Sequence, residues 1–387
     1  MPGSTETGRP PRLFHCSDTH LGHQQYPRTD ETGLNVREQD IAKAFRSIVD
    51  AAIAAKPDLF LHAGDLFDGV RPGNRALATA MEGFVRLSQA GIPTIVIAGN
   101  HEHPKLRETG SPLRLFTHLP NVHVVFQGQR ETVTLHVPGV SVPVRIHAVP
   151  QCADSQTLAR QILDAPTAAA GASPGIDLLV VHGGVTTLKA FSHHEFNELS
   201  IDPGLLRPFD YVALGHFHAT QQVAPNAWYC GAPERVSIAE SGQEKGYLDV
   251  RVAPGQPVQA TFHPIAGRTY VDLPVLEARG LDAAQAKQAA LDAIARLPAG
   301  CVARLRMRDL DSNLRGAFDL RAIQQAASRC THFDLVLEWD DRGLDARSAT
   351  DLRGVAQEFD AFAAQQPLDG LPRAALLARA RAVLESA

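Results

Sequence analysis

Asp18, His20, Asp65, Asn100, His182, His216 and His218 are oxygen and imidazole donors of the kinds that hold divalent metal ions. They stand in short strings: Asp18-Thr19-His20, Gly64-Asp65-Leu66-Phe67-Asp68, Gly99-Asn100-His101-Glu102, His182-Gly183-Gly184, and Gly215-His216 with His218. Most of these strings directly follow a run of apolar, strand-forming residues, so their donors are expected to converge where those strands end. Hydrolysis of a phosphate ester needs developing negative charge neutralised and water activated near neutral pH. Two divalent ions about 3.5–4 Å apart do both.

Each residue has a place in that chemistry. A pair of ions needs a bridging carboxylate, and Asp65 is the best candidate. Asp18 and His20 lie two residues apart, lean the same way from an extended segment and can chelate one ion. His216 and His218 share that spacing and could give one imidazole to each ion. Asn100 offers a neutral oxygen, and His182 completes the donors. Mixed oxygen and nitrogen ligands without thiolate fit manganese, iron or zinc, with manganese favoured by the oxygen content. His101 is expected to face the substrate, where its imidazole could protonate the departing oxygen or stabilise the phosphorane-like transition state, with Glu102 orienting it from behind.

A lone D-x-H or G-D pair arises often by chance. The complete set, in one order and at strand ends, is what carries the reading. Other histidines have plainer roles: His62 is read as a packed strand residue, and His103, His193 and His194 as solvated loop residues.

The elements that must position these groups alternate in the first half of the chain. Leu13–Cys16, Leu59–His62 and Thr94–Ala98 read as strands, with helices from Ile41 to Ile53 and from about Arg75 to Gln89 between them. From Val122 strands dominate: 122–126, 133–137, 142–149, 178–181, 211–214, 247–252 and 260–264. Ala165–Gly175 reads as a loop. This predicts an α/β fold, a two-sheet β-sandwich flanked by helices. After Gly267 a smaller α+β unit follows, with strands at Val271–Val275, Ala303–Met307 and Phe333–Trp339 and helices near 282–297 and 320–328. Two amphipathic helices close the chain; their apolar stripe either docks on this chain's own core or grips a partner. The expected division is 1–267, 268–342 and 343–387.

Composition narrows the class. With 37 Lys+Arg against 42 Asp+Glu, the formal charge of -5 argues against holding nucleic acid by bulk charge, so DNA binding would need local patches, metal ions or a partner. Five widely spaced cysteines suggest neither a disulfide framework nor a thiolate metal site. No stretch approaches a membrane span, and a cytoplasmic location with no membrane association is expected.

The motif set resembles the calcineurin-like metallophosphoesterases, and within them the SbcD-type nucleases of DNA double-strand-break repair. The strings Ser17–Gly22 (SDTHLG), Ala63–Asp68 (AGDLFD), Ala98–Glu102 (AGNHE) and Gly215–His218 (GHFH) carry the resemblance. It implies one ion held by Asp18, His20, Asp65 and His218, a second held by Asp65, Asn100, His182 and His216, and His101 as the catalytic histidine. It also implies manganese-dependent DNA cleavage, exonucleolytic on ends and endonucleolytic on single strands or hairpins. The expected assembly is a homodimer with an SbcC-like coiled-coil ATPase gripped by the tail, and segment 268–342 is expected to cap the site. Two positions depart from the pattern. Asp68 stands where some relatives have a histidine that affects exonuclease action, and Glu102 replaces the more usual aspartate of the G-N-H-D string. The rival readings are a phosphatase or cyclic-nucleotide phosphodiesterase on the same metal site, and a non-catalytic scaffold that tethers DNA ends.

Overall fold

The computed structural model describes residues 8–104, 110–187, 198–340 and 377–379. The chain divides into two compact units. The first takes Met1–Leu273, Ile294–Arg304 and Ala326–Asp334; the second takes Pro274–Ala293, Leu305–Gln325 and Leu335–Ala387.

In chain order the first unit builds β1 (Arg12–Cys16), α1 (Val36–Ala55), β2 (Leu59–His62), α2 (Asn74–Gln89), β3 (Thr94–Ile97), β4 (Val122–Val125), β5 (Glu131–Leu135), β6 (Val144–Val149) and α3 (Ser155–Leu163). There follow β7 (Ile176–His182), the short pair β8 (Gly184–Val185) and β9 (Ser200–Ile201), then β10 (Tyr211–Gly215), β11 (Gln221–Ala224), β12 (Ala227–Tyr229), β13 (Gly246–Arg251) and β14 (Gln259–Pro264). Two six-stranded sheets result, ordered β14-β13-β1-β2-β3-β4 and β11-β12-β10-β7-β6-β5. Strands β1 to β4 run parallel in the first sheet, and β6, β7, β10 and β12 in the second. Loops leaving the parallel strands of a sheet therefore gather at one edge, the usual place for a site in such sheets.

The period-two alternation of the strands sorts the core into three layers. Phe14, Phe60 and Val96 pack against α1 and α2 through Phe45, Ile48, Val49, Ala80 and Phe84. Their neighbours Leu13, Leu59, Leu61, Ile95 and Ile97 face the second sheet, meeting Ile146, Ala148, Leu178, Val180, Tyr211 and Ala213. On the far side, Leu179, Val181, Val212 and Leu214 pack against Leu158 and Ile162 of α3. Two packed sheets with helices outside is the architecture the sequence pattern predicted. Helix α1 starts where the Asn35 side chain accepts from the amides of Arg37 and Glu38, and ends at Lys56 in a left-handed conformation.

Some elements differ from expectation. Helix α3 lies in the strand-rich region, capped by Asp154 over Thr157 N; only Leu158 and Ile162 form its buried stripe, too short a pattern to announce a helix. The strand expected over Val271–Val275 is interrupted at Pro274, which has no N–H to donate. Its two parts are β15 (Tyr270–Asp272), in the first unit, and β16 (Leu276–Glu277), in the second. Beyond them come α4 (Ala283–Ala295), β17 (Val302–Asp311), α5 (Leu320–Ala326) and β18 (His332–Asp340). The expected tail helices lie outside the described residues, apart from 377–379, which are helical. Among the described residues no helix is long and apolar enough to cross a membrane, and all five cysteines are free and buried.

Two fully buried imidazoles sit in this core. His15 Nδ1 lies 2.8 Å from the Tyr211 hydroxyl, joining the two sheets, and His62 Nε2 lies 3.1 Å from Thr19 Oγ1. His62 is thus the packed strand residue it was read as. Burial lowers their pKa values to about 3 for His15 and about 4 for His62. Both are neutral in the fold, whereas the unfolded chain protonates near pH 6.5. Their contribution to stability is therefore complete above that pH and declines as pH falls toward 3–4. In chelator, the loss of urea midpoint between pH 7 and pH 5 should be shallower in His15→Gln than in the parent. A slope as steep as the parent's would mean that His15 is charged in the native protein.

Candidate metal centre

The pairing of β1 with β2 continues past the strand ends as a ladder between two loops. Asp18 N donates to Gly64 O at 2.9 Å, His20 N to Asp65 O at 3.0 Å, and Leu21 N to Leu66 O at 2.8 Å. This ladder holds Asp18, His20 and Asp65 beside one another in strained backbone. Their φ angles are 52°, 47° and 53°, and His216 stands at 102°, where residues with a Cβ seldom sit. Two glycines make room for the donors, Gly99 for the carboxylate of Asp65 and Gly64 for the ring of His182. A Cβ on Gly99 would collide with Asp65 Oδ1, and one on Gly64, itself at φ +94°, would come within 2.5 Å of His182 Nδ1.

Among the described residues, ligand-capable atoms gather in three overlapping groups: Asp18, His20 and His218; His20, Asp65 and His101; Asp18, Asp65 and His182, with the atoms of each group within 4.8 Å of one another. Asn100 joins through its Oδ1, 2.9 Å from His182 Nε2. His216 enters none of the three groups. Its amide donates to both oxygens of Asp18, its ring packs edge-on to His182, and its Nε2 faces Glu198 Oε1 at 3.6 Å. Asp18 also accepts from Ser17 Oγ.

The donor chemistry asks for a cation. His182 Nδ1 lies 2.9 Å from the Ala63 carbonyl and serves as the donor there, which leaves its Nε2 between Asn100 Oδ1 and, at 3.3 Å, Asp65 Oδ2. Three electron-rich atoms then meet with nothing positive between them unless a proton or a metal ion is present. His20 and His218 repeat the pattern, with their Nε2 atoms 3.2 Å apart while their Nδ1 atoms face Asp68 at 3.4 Å and Glu240 at 3.1 Å. The residues fit divalent ions, which Asp18, His20, Asp65, Asn100, His182 and His218 could hold.

Electrostatics say the same. Burial disfavours the charged form of His182, yet Asp65, Asp18 and the Ala63 carbonyl outweigh it and raise its pKa to about 9. Burial likewise opposes ionisation of Asp65, and His182, His20 and His101 overcome it, holding the carboxyl below the usual range. For His218, burial is outweighed by Glu240 and Asp18, again upward. His216 goes the other way, to about 4, because burial and the neighbouring His182 both disfavour its charge.

His101 differs from the other imidazoles. Its side chain keeps 35% of its surface exposed, against 3% for His20 and 1% for His182. Its amide donates to Asp65 Oδ1 at 3.0 Å, and its Nδ1 lies 3.0 Å from the Asp68 carbonyl. Glu102, expected to orient that ring, does something else. Its carboxylate accepts from Phe67 N at 2.7 Å and Gly99 N at 2.9 Å, clamping two of the donor-bearing loops together. Burial and the neighbouring Asp65 push its pKa up to about 8, and the two amides fix its oxygens on the loops rather than on the His101 ring.

Sequence reading missed several supports. Asp68 Oδ1 sits 3.0 Å from His23 Nδ1 as well as near His20; Glu240 backs His218; and Lys245 pairs with Glu240. Glu240 and Lys245 lie in no recognisable string, whereas Asp68 closes the Gly64–Asp68 string. Asp68 alone was singled out, as a departure from the family pattern. His103 is half-buried with its pKa lowered by that burial, while His193 and His194 lie outside the described residues.

A profile of the family described as calcineurin-like phosphoesterase matches residues 11–220. The chain is 29% identical over 239 residues to the DNA double-strand break repair protein Mre11 of Saccharolobus solfataricus, covering 60% of this chain and 58% of that one. It is 32% identical over 207 residues to the protein of the same name from Sulfurisphaera tokodaii, covering 54% and 49%. The match thus spans about half of each relative's length. A crystal structure of a dimetal phosphatase from Danio rerio is similar at 13% identity, covering 66% of this chain and 99% of that one with a TM-score of 0.39; so distant a likeness carries no argument.

A cation taking His182 Nε2 must displace a proton held up to about pH 9. Metal binding should therefore release protons at pH 7.5, and affinity should rise with pH across the neutral range. Calorimetric titration with Mn2+ in two buffers of different ionisation enthalpy should show about one proton released per chain or more. Identical heats in the two buffers would contradict this electrostatic picture.

Proposed function

The chain belongs to the calcineurin-like phosphoesterase family, and on that premise we propose that it is a two-metal phosphodiesterase acting on DNA, of the SbcD and Mre11 kind. The observation that carries the phosphodiesterase reading is the meeting of Asp18, His20, Asp65, His182 and His218 at the ends of strands from both sheets. Similarity to the two double-strand break repair proteins supports DNA as the substrate. The net charge of -5 fits a protein that engages DNA through its ions and through a partner rather than by bulk attraction.

When bound, the ions supply charge neutralisation at the phosphate and activation of water. Manganese suits the oxygen-rich donor set best. We assign Asp65 as the shared carboxylate and His216 as a ligand of the second position, with its ring turning from Glu198 to take that role. His101 acts as the proton donor. Burial opposes its charged form, but Asp65 and the Asp68 carbonyl raise its pKa above the usual imidazole value. With Nδ1 engaged by Asp68, the proton on Nε2 is free for the departing oxygen. Segment 268–342 would cap the substrate approach, and 343–387 would grip a coiled-coil ATPase of the SbcC type, the whole working as a homodimer in the cytoplasm. The balance between cleavage at ends and cleavage within strands would be set near Asp68.

The test compares Mn2+-dependent cleavage of hairpin DNA, linear duplex and a phosphomonoester. His101→Ala should lower DNA cleavage by about 100- to 10,000-fold while Mn2+ binding persists. Parent-level cleavage in that variant would remove His101 from the mechanism. Turnover of the phosphomonoester without DNA cleavage would point to a phosphatase. Mn2+ and DNA binding without hydrolysis of either substrate would point to a tethering scaffold.

A further inference from the structure

We propose that Glu240 and Lys245 are positioning residues that hold the His218 imidazole with Nε2 directed at one of the two metal positions; the proposal rests on the two-ion reading above. Glu240 closes a short turn, Ile238–Glu240, capped by Ser237 Oγ over Ala239 N. Its carboxylate spans two groups, with Oε1 3.1 Å from His218 Nδ1 and Oε2 2.5 Å from the Lys245 ammonium. Lys245 also donates to the His218 backbone carbonyl at 2.8 Å and to Gln243 Oε1 at 2.9 Å. One buried ammonium thus secures both the carboxylate behind the ring and the main chain that carries it.

Three considerations separate this arrangement from an ordinary buried ion pair. The Lys245 side chain is wholly buried and that of Glu240 is 8% exposed, and apolar residues in such a place commonly stabilise a fold as well or better. The pair is also aimed. A carboxylate at Nδ1 keeps the ring hydrogen there, leaving the Nε2 lone pair toward His20 Nε2 at 3.2 Å and grouped with Asp18, and makes that nitrogen a stronger donor. Lys245 meanwhile balances the Glu240 charge. Lastly, the brace is local to one position. His182 and His101 rest their Nδ1 atoms on the main-chain carbonyls of Ala63 and Asp68. Loss of the carboxylate should therefore weaken one ion and spare the other.

The turn itself is anchored within the first unit. Ser241 Oγ donates to the Tyr270 carbonyl at 2.9 Å and accepts from Asp272 N at 3.1 Å, tying the brace to β15. Nothing in the spacing of Glu240 or Lys245 from Gly215-His216 marks them in the sequence. They reach His218 through the fold.

The experiment uses the full chain with Mn2+ alone as probe, read by calorimetry, by the electron paramagnetic resonance of spin-coupled manganese pairs, and by melting temperature in EDTA. The parent should bind two Mn2+ with a coupled signal. Glu240→Gln should weaken one position by about 10- to 100-fold, replacing the coupled signal at limiting Mn2+ by that of isolated ions, with the melting temperature in EDTA little changed. Glu240→Asp should restore part of the coupling. The double variant Glu240→Leu with Lys245→Met leaves no buried charge unpaired, so it keeps the test open if the single variant misfolds, and it should show the same selective loss. Parent-like binding at both positions in the double variant would overturn the positioning role. So would loss of both positions together with a collapse of the melting temperature in EDTA, the mark of a merely structural pair. A parent that binds fewer than two Mn2+ would overturn the two-ion reading itself.

Discussion

Two carboxylates, Asp18 and Asp65, are buried at the ends of adjacent strands, their side chains 0% and 3% exposed, and the structure around them is organised by that fact. A charge withdrawn from water must be met by protons, donors or metal ions. Here the nearest groups include the imidazoles of His20, His182 and His218, two of which have their outer nitrogens occupied by the Ala63 carbonyl and the Glu240 carboxylate. The inner nitrogens can then offer only lone pairs unless they take up protons. Divalent cations resolve the conflict better than protons do, because each satisfies several donors at once.

Such a site cannot be assembled on relaxed backbone. Asp18, His20, Asp65 and His216 all have positive φ, at a cost on the order of 1–3 kcal/mol each. The three apolar layers carry that cost. Phe14, Phe60 and Val96 on one face of the first sheet, and Leu59, Leu61 and Ile95 on the other, fix strands whose ends then have little freedom. Glu102 and the ladder between the Asp18 and Asp65 loops extend this rigidity past the last residue of each strand. Glycine at 99 leaves the space that the Asp65 carboxylate occupies.

The donor strings could be read before the fold was known because short-range spacing sets them: Asp18 with His20 on one extended segment, Gly99 through His101 on one turn. The sheets were readable for a similar reason, since the short continuous apolar runs of β1 to β3, β7 and β10 are properties of neighbouring residues. What escaped is whatever depends on distant parts of the chain meeting. Glu240 and Lys245 lie in another loop from His218, and their type alone suggests solvated charges. Glu102 stands beside His101 in sequence, yet its carboxylate turns toward Phe67 and Gly99, which only the meeting of two loops reveals. His216, a twin of His218 by spacing, is drawn aside toward Glu198. Pro274 divided an alternating segment that looked like one strand, because a missing N–H matters only once the partner strand is in place.

If the account is right, Asp65 holds two ions at once, and this can be seen directly. Anomalous scattering from crystals soaked in Mn2+ should show two peaks flanking the Asp65 carboxylate, roughly 3.5–4 Å apart, one beside His20 and His218 and the other beside Asn100 and His182. One peak, or none, at full Mn2+ loading would contradict it.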